Sequence, residues 1–124
     1  LRIEAHLEYS KAGVKESKHD SKYINVSGES YSKNIQVVQT SNEAVSVVTD
    51  IDTVGYVFIK NLDSTNYVEI SDANDTNYFL KLKAGEFALF RAAQSTYFAL
   101  ANTADVNIEV VVIEDYVQMA HKKK

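Results

Sequence analysis

Apolar and polar residues alternate with a period of two through much of this chain. The first nine positions are the clearest case: Leu1, Ile3, Ala5, Leu7 and Tyr9 fall on one side, and Arg2, Glu4, His6 and Glu8 on the other. Successive side chains of a β-strand point to opposite faces, so this alternation predicts a strand. Ser10-Lys11-Ala12-Gly13 then turns the chain into Val14 to Asp20, a polar stretch expected to be an edge strand or an exposed loop. Tyr23 to Ser27 reads as a weak strand ended by Gly28, and Gly28 to Ser32 as a loop. Asn34 to Thr40 is a better strand, with Ile35 and Val37 set against Gln36 and Val38, and Ala44 to Val48 is another short one.

The most informative stretch is Gly55 to Arg91, which reads as four strands and three turns. Tyr56 to Lys60 is aromatic and β-branched and is followed by the polar connection Asn61 to Asn66, rich in residues that bond their own backbone. In Tyr67 to Ser71, Val68 and Ile70 share one face. Asp72 to Asn77 has no apolar anchor and is expected to be an exposed loop. Tyr78 to Leu82 and Phe87 to Arg91 are the last two strands, joined by Lys83-Ala84-Gly85-Glu86, where Gly85 supplies the positive φ of a tight hairpin. Thr96 to Ala101 and Asn107 to Glu114 follow. The second is apolar at consecutive positions, so it is expected to lie centrally with both faces covered.

Eight to ten short strands at this spacing, with no convincing helix between them, predict an all-β domain: a two-sheet antiparallel sandwich of jelly-roll type, with an immunoglobulin-like sandwich as the alternative. Residues 1–115 are expected to form one domain, and residues 116–124 a short tail with a helical pattern over Tyr116-Val117-Gln118-Met119-Ala120. Val57, Ile59, Val68, Ile70, Leu80, Leu82, Leu89, Val110 and Val112 are the expected core.

Composition narrows the function. The 124 residues carry 13 basic and 17 acidic side chains, a net charge of −4 with the signs interspersed outside Lys122-Lys123-Lys124. Nucleic acid is therefore not an expected partner, because phosphate binding needs a concentrated basic face. No apolar run approaches the length of a membrane span, Leu1-Arg2-Ile3-Glu4 does not read as a signal peptide, and with no cysteine neither a disulfide framework nor a thiolate metal site is available.

No nucleophile elbow, phosphate-binding glycine loop or His-Glu-x-x-His motif occurs, so enzyme activity, a catalytic residue and a cofactor are not expected. His6, His19 and His121 are scattered without metal-ligand spacing and read as surface histidines. Asp50-Ile51-Asp52 and Asp72-Ala73-Asn74-Asp75 offer oxygen ligands, but neither fits a calcium loop, and solvated loops are the expected outcome. Tyr56, Tyr67, Tyr78 and Tyr97 each open a predicted strand. They are expected to pack at the sandwich rim, against the alternative of a stacking surface for sugars or a partner.

The run GYVFIKNLDSTNYVEI, then FLKLKAGEFALFR and YFALANTADVNIEVVVIED, resembles small structural proteins of tailed bacteriophages. The shared features are the Asn61-Leu62-Asp63 corner, the strand Asn66 to Ile70, the turn Lys81 to Glu86, the strand Ala88 to Arg91, the ending Ile113 to Asp115 and the earlier Ser41-Asn42-Glu43-Ala44 corner. The resemblance implies a virion component, assembled in the host cytoplasm. The implied role is capsid decoration by a homo-oligomer, a trimer being favoured, with phage capsid or tail proteins as partners. A tail- or fibre-associated module or a carbohydrate-binding sandwich is the alternative. No catalytic residue carries over.

Overall fold

A computed structural model describes residues 1–47 and 51–115. Its strands are β1 (Arg2–Lys11), β2 (Val14–Tyr23), β3 (Tyr31–Val38), β4 (Glu43–Ala44), β5 (Val54–Asn61), β6 (Val68–Ala73), β7 (Thr76–Leu82), β8 (Phe87–Arg91), β9 (Phe98–Ala101) and β10 (Val106–Glu114), with no helix among the described residues. The expected strand Ala44 to Val48 survives only as the two-residue β4, and Val48, Asp50 and the tail 116–124 lie outside the described residues.

The strands from β3 onward form one long antiparallel hairpin, rolled up. Its tip is the pair β6–β7, and moving outward the pairs are β5–β8, β4–β9 and β3–β10. Rolling adds the pairs β10–β5 and β9–β6, which give two four-stranded sheets in the orders β3-β10-β5-β8 and β4-β9-β6-β7. Nested pairs divided between two facing sheets are the jelly-roll arrangement and not the immunoglobulin-like one. β1 and β2 pair only with each other, as a separate two-stranded sheet.

The core lies between the two four-stranded sheets. β10 contributes Val106, Ile108, Val110 and Val112, β5 Val57 and Ile59, and β6 Val68 and Ile70, all buried. Asn61 is buried among them without penalty: its Nδ2 donates to the carbonyls of Asn66 (2.9 Å) and Leu82 (3.0 Å), and its Oδ1 accepts from the Asp63 amide (2.7 Å). The neighbouring Asp63 carboxylate accepts from the amides of Asn66 and Thr65, which hold its pKa below the usual aspartate value. Asn61-Leu62-Asp63 is thus a corner built by side chains that replace missing backbone partners.

Several expectations need correction. Leu89 is exposed, because β8 pairs Ile59 with Ala88 and Val57 with Phe90, which turns Ala88 and Phe90 inward. Leu80 is half-buried against the core. Residues 24–30 form no strand; β2 ends at Tyr23, and the backbone beyond it is held by side chains of β10 and Asp115. Asp72 to Asn77 is not a long loop: β6 runs to Ala73, β7 begins at Thr76, and only Asn74-Asp75 turn between them, with Asp75 and Asn77 at positive φ (56° and 58°). Gly85 does take positive φ (78°), but its turn carries the chain from one sheet to the other. β10 is central, yet the outward side chains Glu109, Val111 and Ile113 are only half-buried.

Candidate functional site

The outward face of the sheet β3-β10-β5-β8 is where the sequence and the fold disagree with ordinary sandwich chemistry. Directly paired residues share a face, so the registers give four rungs. They run Tyr31, Ile113, Tyr56, Arg91; then Lys33, Val111, Phe58, Leu89; then Ile35, Glu109, Lys60, Phe87; then Val37 and Asn107. Antiparallel sheets of a sandwich normally present polar residues outward. Here Tyr31, Ile35 and Phe87 are 66%, 65% and 64% exposed, and Val37 and Leu89 are also open to solvent. Phe58 and Phe87 stack at 5.9 Å, and Lys33 approaches Glu109 at 3.9 Å between the apolar positions. The face thus mixes exposed apolar residues with Lys33, Lys60, Arg91 and Glu109, and carries more exposed apolar side chains than the outward face of a sandwich usually does.

The hairpin β1–β2 adds a second surface. Ala12 and Gly13 take φ of 52° and 83°, the pair of positive values that a two-residue hairpin turn requires. One hairpin face carries Ile3, Ala5, Leu7 and Tyr9 beside Lys22, Asp20, Lys18 and Glu16; the other carries Arg2, Glu4, His6 and Glu8 beside Tyr23, Ser21, His19 and Ser17. Ile3 is half-buried, and every other residue of the two strands is exposed. A two-stranded hairpin is at best marginally stable alone in water, so ten-residue strands carrying Leu7 and Tyr9 in solvent call for a covering surface.

The root of this hairpin is fixed at one end of the apolar face. Leu1 and Ile24 exchange backbone hydrogen bonds (2.7 and 3.1 Å). Asp115 accepts from the Ser27 amide (3.0 Å) and hydroxyl (3.1 Å) and, on its other oxygen, from Arg91 (2.9 Å). The Ser27 amide and the Arg91 guanidinium hold its carboxyl below the usual aspartate range. Arg91 also lies over the Tyr56 ring at 4.7 Å. The buried Glu114 carboxylate accepts from the amides of Ser30 (3.3 Å) and Asp52 (2.9 Å). Gly28 is required here, since a Cβ would stand 2.5 Å from Cγ of Glu114. From this root the hairpin stands off its own sheet, leaving an open groove of about 930 Å³ between Ile3, Ala5, Asp20 and Lys22 on one side and Tyr56, Phe87 and Leu89 on the other.

The side chains singled out in the sequence are placed as follows. His6 and His19 meet across the hairpin with ring centroids 5.1 Å apart, and His19 Nε2 lies 2.5 Å from Glu4, an approach that lowers the Glu4 pKa. Their proximity follows from the β1–β2 register, which sequence spacing does not display. His121 lies outside the described residues, and among those no group of three or more His, Cys, Asp or Glu side chains is arranged to hold a metal.

The four tyrosines do not form one open platform. Tyr56 and Tyr97 are buried, Lys81 sits over Tyr67 at 4.0 Å, and Tyr78 receives a hydrogen bond from Asn42 (2.9 Å) and donates one to Asp75 (2.8 Å). Burial and the Asp75 contact push the Tyr78 phenol up. No helix among the described residues is long and apolar enough to cross a membrane. No protein-family model, no curated protein and no solved structure matches the chain.

Proposed function

We propose that the chain is a structural protein of a tailed-bacteriophage virion, a capsid-decorating homo-oligomer with a trimer favoured, which acts by binding and carries out no reaction. The observation that carries this reading is the apolar outward face of β3-β10-β5-β8 with the exposed hairpin rooted at its end. Assembly surfaces of this kind suit a rigid jelly roll that must attach at many equivalent places. Repetition lets individually weak contacts add up through multivalency. The resemblance of the stretch from Gly55 to Asp115 to phage structural proteins supplies the virion. The corners that carry it, Asn61-Leu62-Asp63 and Lys81 to Glu86, have structural work in the fold.

The reading is tested by mixing the purified chain with capsids of the phage that encodes it, depleted of auxiliary proteins, and sedimenting the particles. Saturable co-sedimentation is expected. Failure to co-sediment, together with binding on a glycan array, would replace decoration with the carbohydrate-binding alternative.

A further inference from the structure

We infer that the β1–β2 hairpin is an exchanged arm, and that the outward face of β3-β10-β5-β8 receives the arm of a second copy of this chain. The inference rests on the homo-oligomer part of the reading above and is independent of the virion assignment.

The arm's own fold does not cover it. Leu7, Tyr9 and Val14 are 61%, 51% and 59% exposed, and where the hairpin passes its own sheet an open groove separates the two. The receiving face is likewise uncovered by its own chain at Tyr31, Ile35, Val37 and Phe87. Two uncovered apolar surfaces on one molecule, separated by an open groove, are both covered when the arm of one copy lies on the face of another. Both surfaces carry mixed charges: Glu16, Lys18, Asp20 and Lys22 on the hairpin, with Lys18 near Asp20 (3.8 Å), and Lys33, Lys60 and Glu109 on the receiving face, with Lys33 near Glu109 (3.9 Å), so neither presents a single-sign field that would repel the other.

The dimensions decide the form of the exchange. Ten-residue strands make an arm roughly 33 Å long and about 10 Å wide, so one arm on one face removes on the order of 700 Å² from water, counting both partners. That is about half of what a stable interface requires. A lone arm contact is therefore too small; reciprocal exchange between two copies puts about 1,400 Å² into one interface, and in a ring each copy is held by two contacts of about 700 Å², with closure making them act together. Such an exchange closes on itself, as a reciprocal dimer or a ring, and leaves no arm over.

The test uses the full chain, which contains no cysteine of its own. Sedimentation velocity of the unaltered chain should give a multiple of 13.9 kDa, and Leu7→Glu should reduce it to the single-chain mass with an unchanged circular dichroism spectrum. Chains carrying Leu7→Cys, mixed and subunit-exchanged with chains carrying Ile35→Cys, Val111→Cys or Leu89→Cys, should be bridged by a short bismaleimide in at least one mixture. An oligomer that survives Leu7→Glu, or that yields no bridged pair in any mixture, would overturn the arm and leave the homo-oligomer standing. A chain carrying Leu7→Cys together with Leu89→Cys, if bridged only within itself and never between chains, would place the arm on its own face and equally overturn the exchange. An unaltered chain that sediments as a monomer would overturn both.

Discussion

Phe58 and Leu89 stand directly opposite each other on β5 and β8, and both point away from the core. The neighbouring pair, Ile59 and Ala88, points inward. This one-residue difference separates side chains that hold the chain together from side chains available to a partner. Ile59→Ala should cost about 2 to 5 kcal/mol of unfolding free energy, as expected for a fully buried aliphatic residue. Leu89→Ala should cost under about 1 kcal/mol in the same urea titration, run at dilutions where the chain is a single molecule. Comparable losses at the two sites would mean that Leu89 is part of the core.

Asp115 ties the linker after β2 to β8 through Ser27 and Arg91. Its folded-state pKa is depressed, so the stability it contributes is present above the unfolded value and is lost as pH falls through the folded one. Thermal stability should therefore decline below about pH 4, the ordinary aspartate range, with Asp63 contributing in the same direction. Asp115→Asn should cost about 1 to 3 kcal/mol at neutral pH and flatten part of that acid decline. Melting curves of the two chains between acid and neutral pH check this.

Gly55 lies where β5 passes Asp115: an added Cβ would stand 2.4 Å from Cβ of Asp115 and 2.9 Å from the carbonyl oxygen of Ile113. Backbone cannot yield as a flexible side chain does, so Gly55→Ala should destabilise by about 1 to 3 kcal/mol. Gly13 has open space around it, and Gly13→Ala should show only the smaller conformational cost of its positive φ, about 1 kcal/mol. Denaturant midpoints for the two substitutions provide the comparison.

Stability should not depend on a metal ion. EDTA is expected to leave the melting temperature unchanged, whereas a fall of several degrees restored by Ca²⁺ would make Asp72 and Asp75 a site.

Much of the fold was legible in the sequence because period-two patterning acts locally. Val68 and Ile70, set against Tyr67, Glu69 and Ser71, announce both a strand and its inward face. Phe87 to Arg91 defeats that reasoning because both alternating sets, Phe87 with Leu89 and Ala88 with Phe90, are apolar, and only pairing with β5 selects between them. Leu1 to Tyr9 fails differently: its alternation correctly marks a strand, but periodicity cannot tell whether the surface its apolar row meets lies in the same molecule. The Gly85 turn shows the same limit, since positive φ specifies a bend and not which sheet the next strand joins. The outward apolar face was not legible as a unit, because its rungs join residues as distant as Tyr31 and Arg91.

The most direct measurement of the central claim, the proposed decoration of a phage capsid, is a cryo-electron microscopy reconstruction of the virions proposed to carry this chain. The account predicts jelly-roll density on the capsid surface, in closed groups on the symmetry positions of the lattice, with Tyr31, Ile35 and Phe87 buried between copies. Capsids lacking that density, or carrying isolated single copies whose β3-β10-β5-β8 face is open to solvent, would contradict it.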